Sequence, residues 1–245
     1  MESTNGNMSK NIAIIIAGGS GARMQQDIPK QFLNVFDKPV ILYTLEAFQN
    51  HPEIDAIEVV CIDGWHEILR AYCKQFNITK LENIVSGGKT GQESIHNGLF
   101  DVRSRYDDDD IVLIHDSIRP MVSESIISDC IRVCREHGNA ITVIPCAEAM
   151  LTTSDGASSE DQYNRANLKR TQTPQAFHIG DLVSAHDEAQ QKGITNSIAS
   201  CTLFVELGRK VWFSAGSEKN VKLTTPEDIE IFKALLTCKK ESWFK

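Results

Sequence analysis

Residues 11–32 constrain the fold more than any other stretch. The apolar run Ile12–Ile16 leads without a spacer into Ala17-Gly18-Gly19-Ser20-Gly21, and Arg23 and Lys30 follow closely. A buried strand that empties into a glycine-rich turn is the opening of an α/β domain. Gly18, Gly19 and Gly21 let the backbone turn tightly and bring bare N–H groups against a ligand. Two fixed cations beside such a turn suit a polyphosphate, the pattern of a nucleoside triphosphate loop. Two commoner glycine motifs fail. A dinucleotide fingerprint counted from Gly19 needs Gly or Ala where the chain has Met24. A Walker loop ending in Gly88-Lys89-Thr90 needs Gly where the chain has Asn83.

The remaining pattern extends this α/β reading. Strand-like runs at Asn11–Ala17, Ala56–Ile62, Asn83–Ser86, Asp110–Ile114 and Ala140–Pro145 alternate with helix-like runs at Val40–Gln49, Trp65–Phe76, Gln92–Arg105 and Glu124–His137. Near-continuous apolar strands separated by amphipathic helices predict a mostly parallel sheet with helices on both faces. The rhythm breaks at 147–170, a polar stretch that predicts a protruding arm. Beyond it the pattern predicts a helix over Ile179–Lys192 and strands at Thr202–Leu207, Lys210–Ser214 and Asn220–Leu223. A closing helix starts at Pro226, capped by Thr225 and with Glu227-Asp228 in its first turn. The expected organisation is a disordered leader at 1–10 followed by one domain over 11–245.

Composition narrows the partners. A net charge of −8 argues against nucleic acid or a membrane surface, so an anionic substrate must be drawn in by a local cation cluster. The polar N-terminus carries no signal-peptide core, and no run is long enough to span a membrane. Seven cysteines without C-x-x-C spacing read as mostly buried thiols in a reducing compartment, which predicts a cytoplasmic protein. Cys130 and Cys134 share a helical face, but no further ligands complete a zinc set. The acidic run Asp107–Asp110 reads as a solvated loop.

In open parallel sheets ligands sit at the carboxyl ends of the strands. Three groups fall there: the opening glycine loop, Gly87-Gly88, and His115-Asp116-Ser117-Ile118-Arg119-Pro120. Asp116 and Arg119 suit either ligand contact or an ion pair that holds the loop, and His115 reads as structural. Lys219 and Lys222 flank Asn220 as further cations, and Arg165 and Arg170 border the arm.

Taken together, A-G-G-x-G-x-R-M…P-K-Q-F, H-D-S-x-R-P, N-R-A-x-L…Q-T-P-Q-x-F and N-V-K-x-T…P-E-D, in that order from about Asn11 to Leu236, resemble the cytidylyltransferases that activate sugar-alcohol phosphates. That family has a methylerythritol-phosphate branch, of isoprenoid synthesis, and a ribitol-5-phosphate branch, of cell-wall and capsule synthesis. The resemblance implies a Rossmann-like nucleotidyltransferase sheet, a homodimer formed through the arm, CTP and a polyol phosphate as substrates, and Mg²⁺ carried on the triphosphate. It further implies that Ala17, Gly18, Gly19, Ser20 and Gly21 hold CTP together with Arg23 and Lys30. Gly87, Gly88 and Ser94 would approach the cytosine. Asp116 and Arg119 would face the ribose and the acceptor, Arg165 would reach the acceptor phosphate of a neighbouring subunit, Thr173 would hydrogen-bond the acceptor, and Lys222 would grip phosphate. The implied chemistry is in-line attack of the acceptor phosphate on the α-phosphorus of CTP, catalysed by positioning and charge neutralisation without a general base.

The chain departs from the family pattern at three places. Gly91 stands where an Arg is usual, Glu148-Ala149 where Asp-Thr is usual, and Thr195-Asn196 or Ile198-Ala199 where a Thr-Asp element is usual. These losses motivate a reading of another class, a catalytically silent nucleotide-binding subunit. His-Asp-Ser-x-Arg-Pro, the initial Ala-Gly-Gly, Asn-Arg-Ala-x-Leu without a following Trp, and Leu203-Phe204-Val205 ahead of Gly208 lean towards the ribitol-phosphate branch.

Overall fold

The computed structural model describes residues 9–19 and 28–240 of the chain. Strand β1 (Asn11–Ala17) lies at the heart of a seven-stranded sheet. Around it run β4 (Ala56–Cys61), β5 (Leu81–Ser86), β6 (Ile111–Asp116), β7 (Asn139–Pro145), β10 (Lys169–His178) and β11 (Phe213–Ala215). The order across the sheet is β11-β7-β10-β6-β1-β4-β5, all parallel except β10, which is antiparallel to both neighbours. Two-residue strands β2 (Asn34–Val35) and β3 (Lys38–Pro39) form a small hairpin beside it.

The alternation along β1 explains the layers. Ala13, Ile15 and Ala17 face one core with α1 (Val40–Gln49), α2 (His66–Gln75) and α4 (Glu124–His137), through side chains such as Phe48, Leu69 and Ile127. Ile12 and Ile14 face the other core with α3 (Gly91–Arg103), α5 (Ile179–Gln191) and α6 (Ser200–Glu206), through Leu99, Leu182 and Leu203. Because both faces are covered, every residue of β4 is buried, and each fully buried branched side chain stabilises the fold by about 1.5–3 kcal/mol. Helix α4 is capped by Ser123 and ends at Gly138, whose φ of 91° is the left-handed conformation that glycine tolerates. A third, smaller core joins Val35, Val40, Ile118 and Leu223 to Phe232 of α7 (Pro226–Lys240). The Thr225 cap and the reach of Asp228 back to the amides of Thr224 and Thr225 start α7 as the sequence predicts.

Several expectations change. Thr202–Leu207 is not a strand: it belongs to α6, where Cys201, Leu203 and Phe204 are buried while Val205 is exposed, a helical rather than alternating burial. Thr202 Oγ1 accepts from the Ala199 amide at 3.0 Å and fixes the helix start. Of Lys210–Ser214 only the end is strand, as part of β11, and Asn220–Leu223 belongs to no strand. Gln172–Gln175 lies within β10, at a register break between Thr171 and Gln175. Within the expected leader, Ser9 Oγ donates to Asp109 O and the Lys10 amide to Asp110 Oδ1, while residues 1–8 lie outside the described residues. Asp110 is correspondingly buried and structural, while its neighbours in the acidic run are exposed. The arm region contains the exposed hairpin β8 (Met150–Leu151) and β9 (Gln162–Tyr163). Six of the cysteines are buried thiols and Cys238 is exposed. Among the described residues, no helix is long and apolar enough to cross a membrane.

Candidate active site

The loops after β1, β5 and β6 meet in a cleft of about 500 Å³. Its lining includes Ala17, Gly18 and Gly19 from the first loop, Gly88 to Gly91 and Ser94 from the second, and Asp116 to Ile118 from the third, with Lys30 and Lys222.

The glycine wall is built by close approach. A Cβ on Gly18 would lie 3.2 Å from Ser94 Oγ and 3.3 Å from Gly87 Cα, and one on Gly87 would lie 3.1 Å from Gly18 Cα. Two loops therefore approach backbone to backbone, and a side chain at either glycine would push them apart by a few tenths of an ångström. Gln31, 1% exposed, locks the first loop: its Nε2 donates to Ala17 O at 2.8 Å and Gly19 O at 3.0 Å. Ser94 locks the second. Its hydroxyl accepts from the Gly88 amide at 2.9 Å and donates to Thr90 O at 3.0 Å. Thr90 caps α3 by accepting from the Glu93 amide at 3.1 Å, so the first turn of that helix opens on the cleft.

The β6 end is held by a polar network. Asp116 accepts from Arg119 Nε at 3.1 Å and from Lys222 Nζ at 3.1 Å, one cation on each oxygen. Burial acts to raise its pKa, but Lys222 and Arg119 outweigh burial and hold the carboxyl below its usual range. Thr173 Oγ1 accepts from the Asp116 amide at 3.1 Å and lies 3.1 Å from His115 Nδ1, to which it donates because the proton of the neutral ring is on Nε2, facing a carbonyl. His115 Nε2 then donates to Arg119 O at 3.2 Å. Complete burial, ahead of any charge effect, pushes the His115 imidazole down to about 4, so it stands neutral. His115 is structural, as the sequence suggests.

The structure thus brings Ala17, Gly18, Gly19, Lys30, Gly88, Ser94, Asp116 and Lys222 to one cleft. Gly87 stands behind Gly18. Arg119 and Thr173 stand behind Asp116, which favours the ion-pair reading of Arg119. Arg119 also donates to Asn220 O at 2.8 Å. Arg165 lies on the arm, donates to Ala147 O at 2.7 Å, and is not among the residues that line the cleft. Ser20, Gly21 and Arg23 lie outside the described residues. Sequence reasoning missed Gln31 as the loop's lock and Lys89 and Thr90 as lining residues. Gln31 is visible inside Lys-Gln-Phe, but nothing in that motif says where a carboxamide points. Of the three departures, Gly91 lines the cleft, and a Cβ there would meet nothing within 4 Å among the described residues. The segment around Ala199 is tied instead to α3, where Gln92 donates to Ile194 O at 2.7 Å and accepts from the Ser197 amide at 2.8 Å. Ala149 sits exposed in the arm.

A mostly parallel, doubly covered sheet with a glycine-walled, lysine-bearing cleft at its strand ends defines the class: this is a nucleotidyltransferase fold. The family model "IspD: 2-C-methyl-D-erythritol 4-phosphate cytidylyltransferase" matches residues 11–238, and the chain belongs to that family of cytidylyltransferases. It is 44% identical over 226 residues to a ribitol-5-phosphate cytidylyltransferase of Lacticaseibacillus paracasei, covering 91% of this chain and 97% of that one. It is 36% identical over 230 residues to a 2-C-methyl-D-erythritol 4-phosphate cytidylyltransferase of Clostridium botulinum, covering 94% and 98%. Among solved structures, the Francisella tularensis 2-C-methyl-D-erythritol 4-phosphate cytidylyltransferase superposes with a TM-score of 0.79 at 26% identity, covering 92% of this chain and 99% of that one.

Proposed function

We propose that the chain transfers the cytidylyl group of CTP to ribitol 5-phosphate or a close pentitol phosphate, forming a CDP-polyol and pyrophosphate. The observation that carries the reading is the cleft itself, which gathers a bare glycine wall, Lys30, Lys222 and Asp116 at the strand ends. An oxygen of the acceptor phosphate attacks the α-phosphorus of CTP as the bond to the bridging oxygen breaks. Lys30 stabilises charge at the α-phosphorus, Lys222 grips phosphate, and the glycine wall admits the nucleotide. Arg23 joins the triphosphate on the strength of the family resemblance alone. The higher identity to relatives named for ribitol 5-phosphate supports that acceptor. The family model's own description favours 2-C-methyl-D-erythritol 4-phosphate as the second reading.

Mg²⁺ fits this cleft as a passenger of the triphosphate. Among the described lining residues Asp116 is the one carboxylate, and no group of three or more His, Cys, Asp or Glu side chains forms a cage among the described residues. Such a site suits a hard cation that keeps water and phosphate ligands. Bound there, it would neutralise charge on the departing pyrophosphate. The arm would pair two copies and bring Arg165 to the neighbouring acceptor site.

Pyrophosphate release from CTP and Mg²⁺ across a panel of polyol phosphates tests the reading, with ribitol 5-phosphate expected to turn over fastest. Tight CTP binding with turnover of no acceptor would establish the silent-subunit reading instead. Lys30→Ala should lower kcat/KM by roughly 10³-fold with little change in Tm. Near-normal activity in that variant would remove Lys30 from the mechanism.

A further inference from the structure

Lys222 reaches the cleft on a segment that belongs to no helix or strand, so something other than a regular ladder must set its position. The ends of that segment are pinned to the sheet and to the β6 loop. The Gly216 amide donates to Val143 O at 2.9 Å, and the Leu223 amide donates to Ile118 O at 2.9 Å. Between these points the anchor is a side chain of β10. Gln172, 6% exposed, donates from Nε2 to Ser217 O at 2.9 Å. Its Oε1 accepts from the Ser217 amide at 3.2 Å and from Asn220 Nδ2 at 3.2 Å.

Asn220 is fully buried and carries the connection onward. Its Nδ2 also donates to Thr173 O at 2.9 Å, and its own carbonyl accepts from Arg119 Nη1 at 2.8 Å. The packing is tight enough to exclude alternatives. A Cβ on Gly216 would lie 2.6 Å from Gln172 Oε1 and 2.8 Å from Val143 O. Gln172 sits where the β7–β10 register breaks, so its carboxamide turns onto this segment. A carboxamide is the chemistry required, because one group must both donate to a carbonyl and accept from two N–H groups.

We propose that Gln172 and Asn220 are positioning residues for the reaction: they set the backbone of 217–222 so that the Lys222 ammonium stands against Asp116 and is presented to substrate phosphate. Neither residue is among those that line the cleft, and the inference rests on the reading of Lys222 as a phosphate-gripping cation. Because Gln172 belongs to the strand that returns from the arm, it also ties that strand to the cleft.

The test is a double-mutant cycle with Gln172→Ala, Lys222→Ala and the pair, reading kcat/KM for pyrophosphate release with ribitol 5-phosphate. Gln172→Ala should lower kcat/KM by about tenfold in the native background, the scale of one lost buried hydrogen-bond anchor. It should have almost no further effect once Lys222 is gone. Equal losses in both backgrounds would make Gln172 merely structural and overturn the proposal. Gln172→Glu, nearly isosteric but unable to donate to Ser217 O when ionised, guards against a variant that fails to fold. Amide hydrogen exchange on the substrate-free protein provides a readout independent of activity. In either variant the Ser217, Asn220 and Leu223 amides should exchange about tenfold faster, with the Ile141 and Ala176 amides of the sheet unchanged. Unchanged exchange at 217–223 would overturn the proposal even if activity falls. Absence of turnover with any polyol phosphate in the unmutated protein would instead remove the functional reading, and the exchange data would still decide whether Gln172 holds the segment.

Discussion

Gln31 Nε2 donates to Gly19 O at 3.0 Å from a residue that is 1% exposed, so the glycine loop after β1 is held by a buried carboxamide in the wall of the cleft. Its second bond, to Ala17 O at 2.8 Å, ties the loop to the last residue of β1. A buried carboxamide that satisfies two carbonyls at once is costly to remove, because both acceptors are left without a donor. Gln31→Ala should therefore lower stability by about 1–3 kcal/mol. It should also raise the Kd for CTP, measured by calorimetry, by about tenfold. A variant with native CTP affinity would show that the loop keeps its shape unaided.

Gly87 and Gly91 both border the second loop, yet substitution should affect them oppositely. Alanine at Gly87 would put a Cβ 3.1 Å from Gly18 Cα, backbone that cannot yield without moving the glycine wall. Gly87→Ala should lower Tm by several degrees, for a cost of about 1–3 kcal/mol, and weaken CTP binding with it. At Gly91 a Cβ meets nothing within 4 Å among the described residues, and the position lies in the first turn of α3. Gly91→Ala should hold or raise Tm, since alanine is favoured over glycine in a helix by about 0.5–1 kcal/mol. Thermal melts of the pair decide it, and equal losses would contradict the packing described.

His186 gives the fold an acid limit. It is buried with no partner at Nε2 among the described residues, and burial, reinforced by His96, pushes it down to about 4. In the unfolded chain it titrates near the ordinary histidine value of about 6.5. Between those values the unfolded state binds the extra proton, so stability is fully present above about pH 6.5 and is lost as pH falls towards 4. His115 contributes in the same direction. His186→Leu should flatten the pH dependence of urea midpoints over that window. It should also gain about 1 kcal/mol near pH 7 by removing an unsatisfied buried nitrogen. An unchanged slope would exclude His186 as a source of the acid sensitivity.

The arm exposes Leu151 (67%) and Tyr163 (59%) on its hairpin, apolar surface that a lone chain has little reason to present. On the proposed pairing of two copies through the arm, the intact protein should sediment as a dimer and the variant lacking Ser154–Asp161 and carrying Leu151→Ser as a monomer, with loss of activity if Arg165 serves the neighbouring site. A fully active monomer would end the cross-subunit role of Arg165.

Most of the sheet is legible in the amino-acid pattern. The near-continuous apolar runs at Ile12–Ile16 and Ala56–Cys61, the second interrupted by Glu58, read as strands covered on both faces, and the Ser123–Gly138 frame marks both ends of α4. Thr202–Leu207 misled because Leu203 and Phe204 pack against the core in a short run where helix and strand periods look alike. Segment 216–224 misled because its order comes from Gln172 and Asn220, partners that local pattern does not reveal. Residue order alone specifies the strand–loop chemistry: a glycine turn followed by Lys30, an Asp-and-Arg loop after β6, and the succession of motifs that marks the family. Long-range packing, in contrast, sets Arg119 and Thr173 behind Asp116 and Lys222 beside it. Which side of a carboxylate a cation occupies depends on hydrogen bonds between residues up to 106 positions apart, and local propensity carries no record of them.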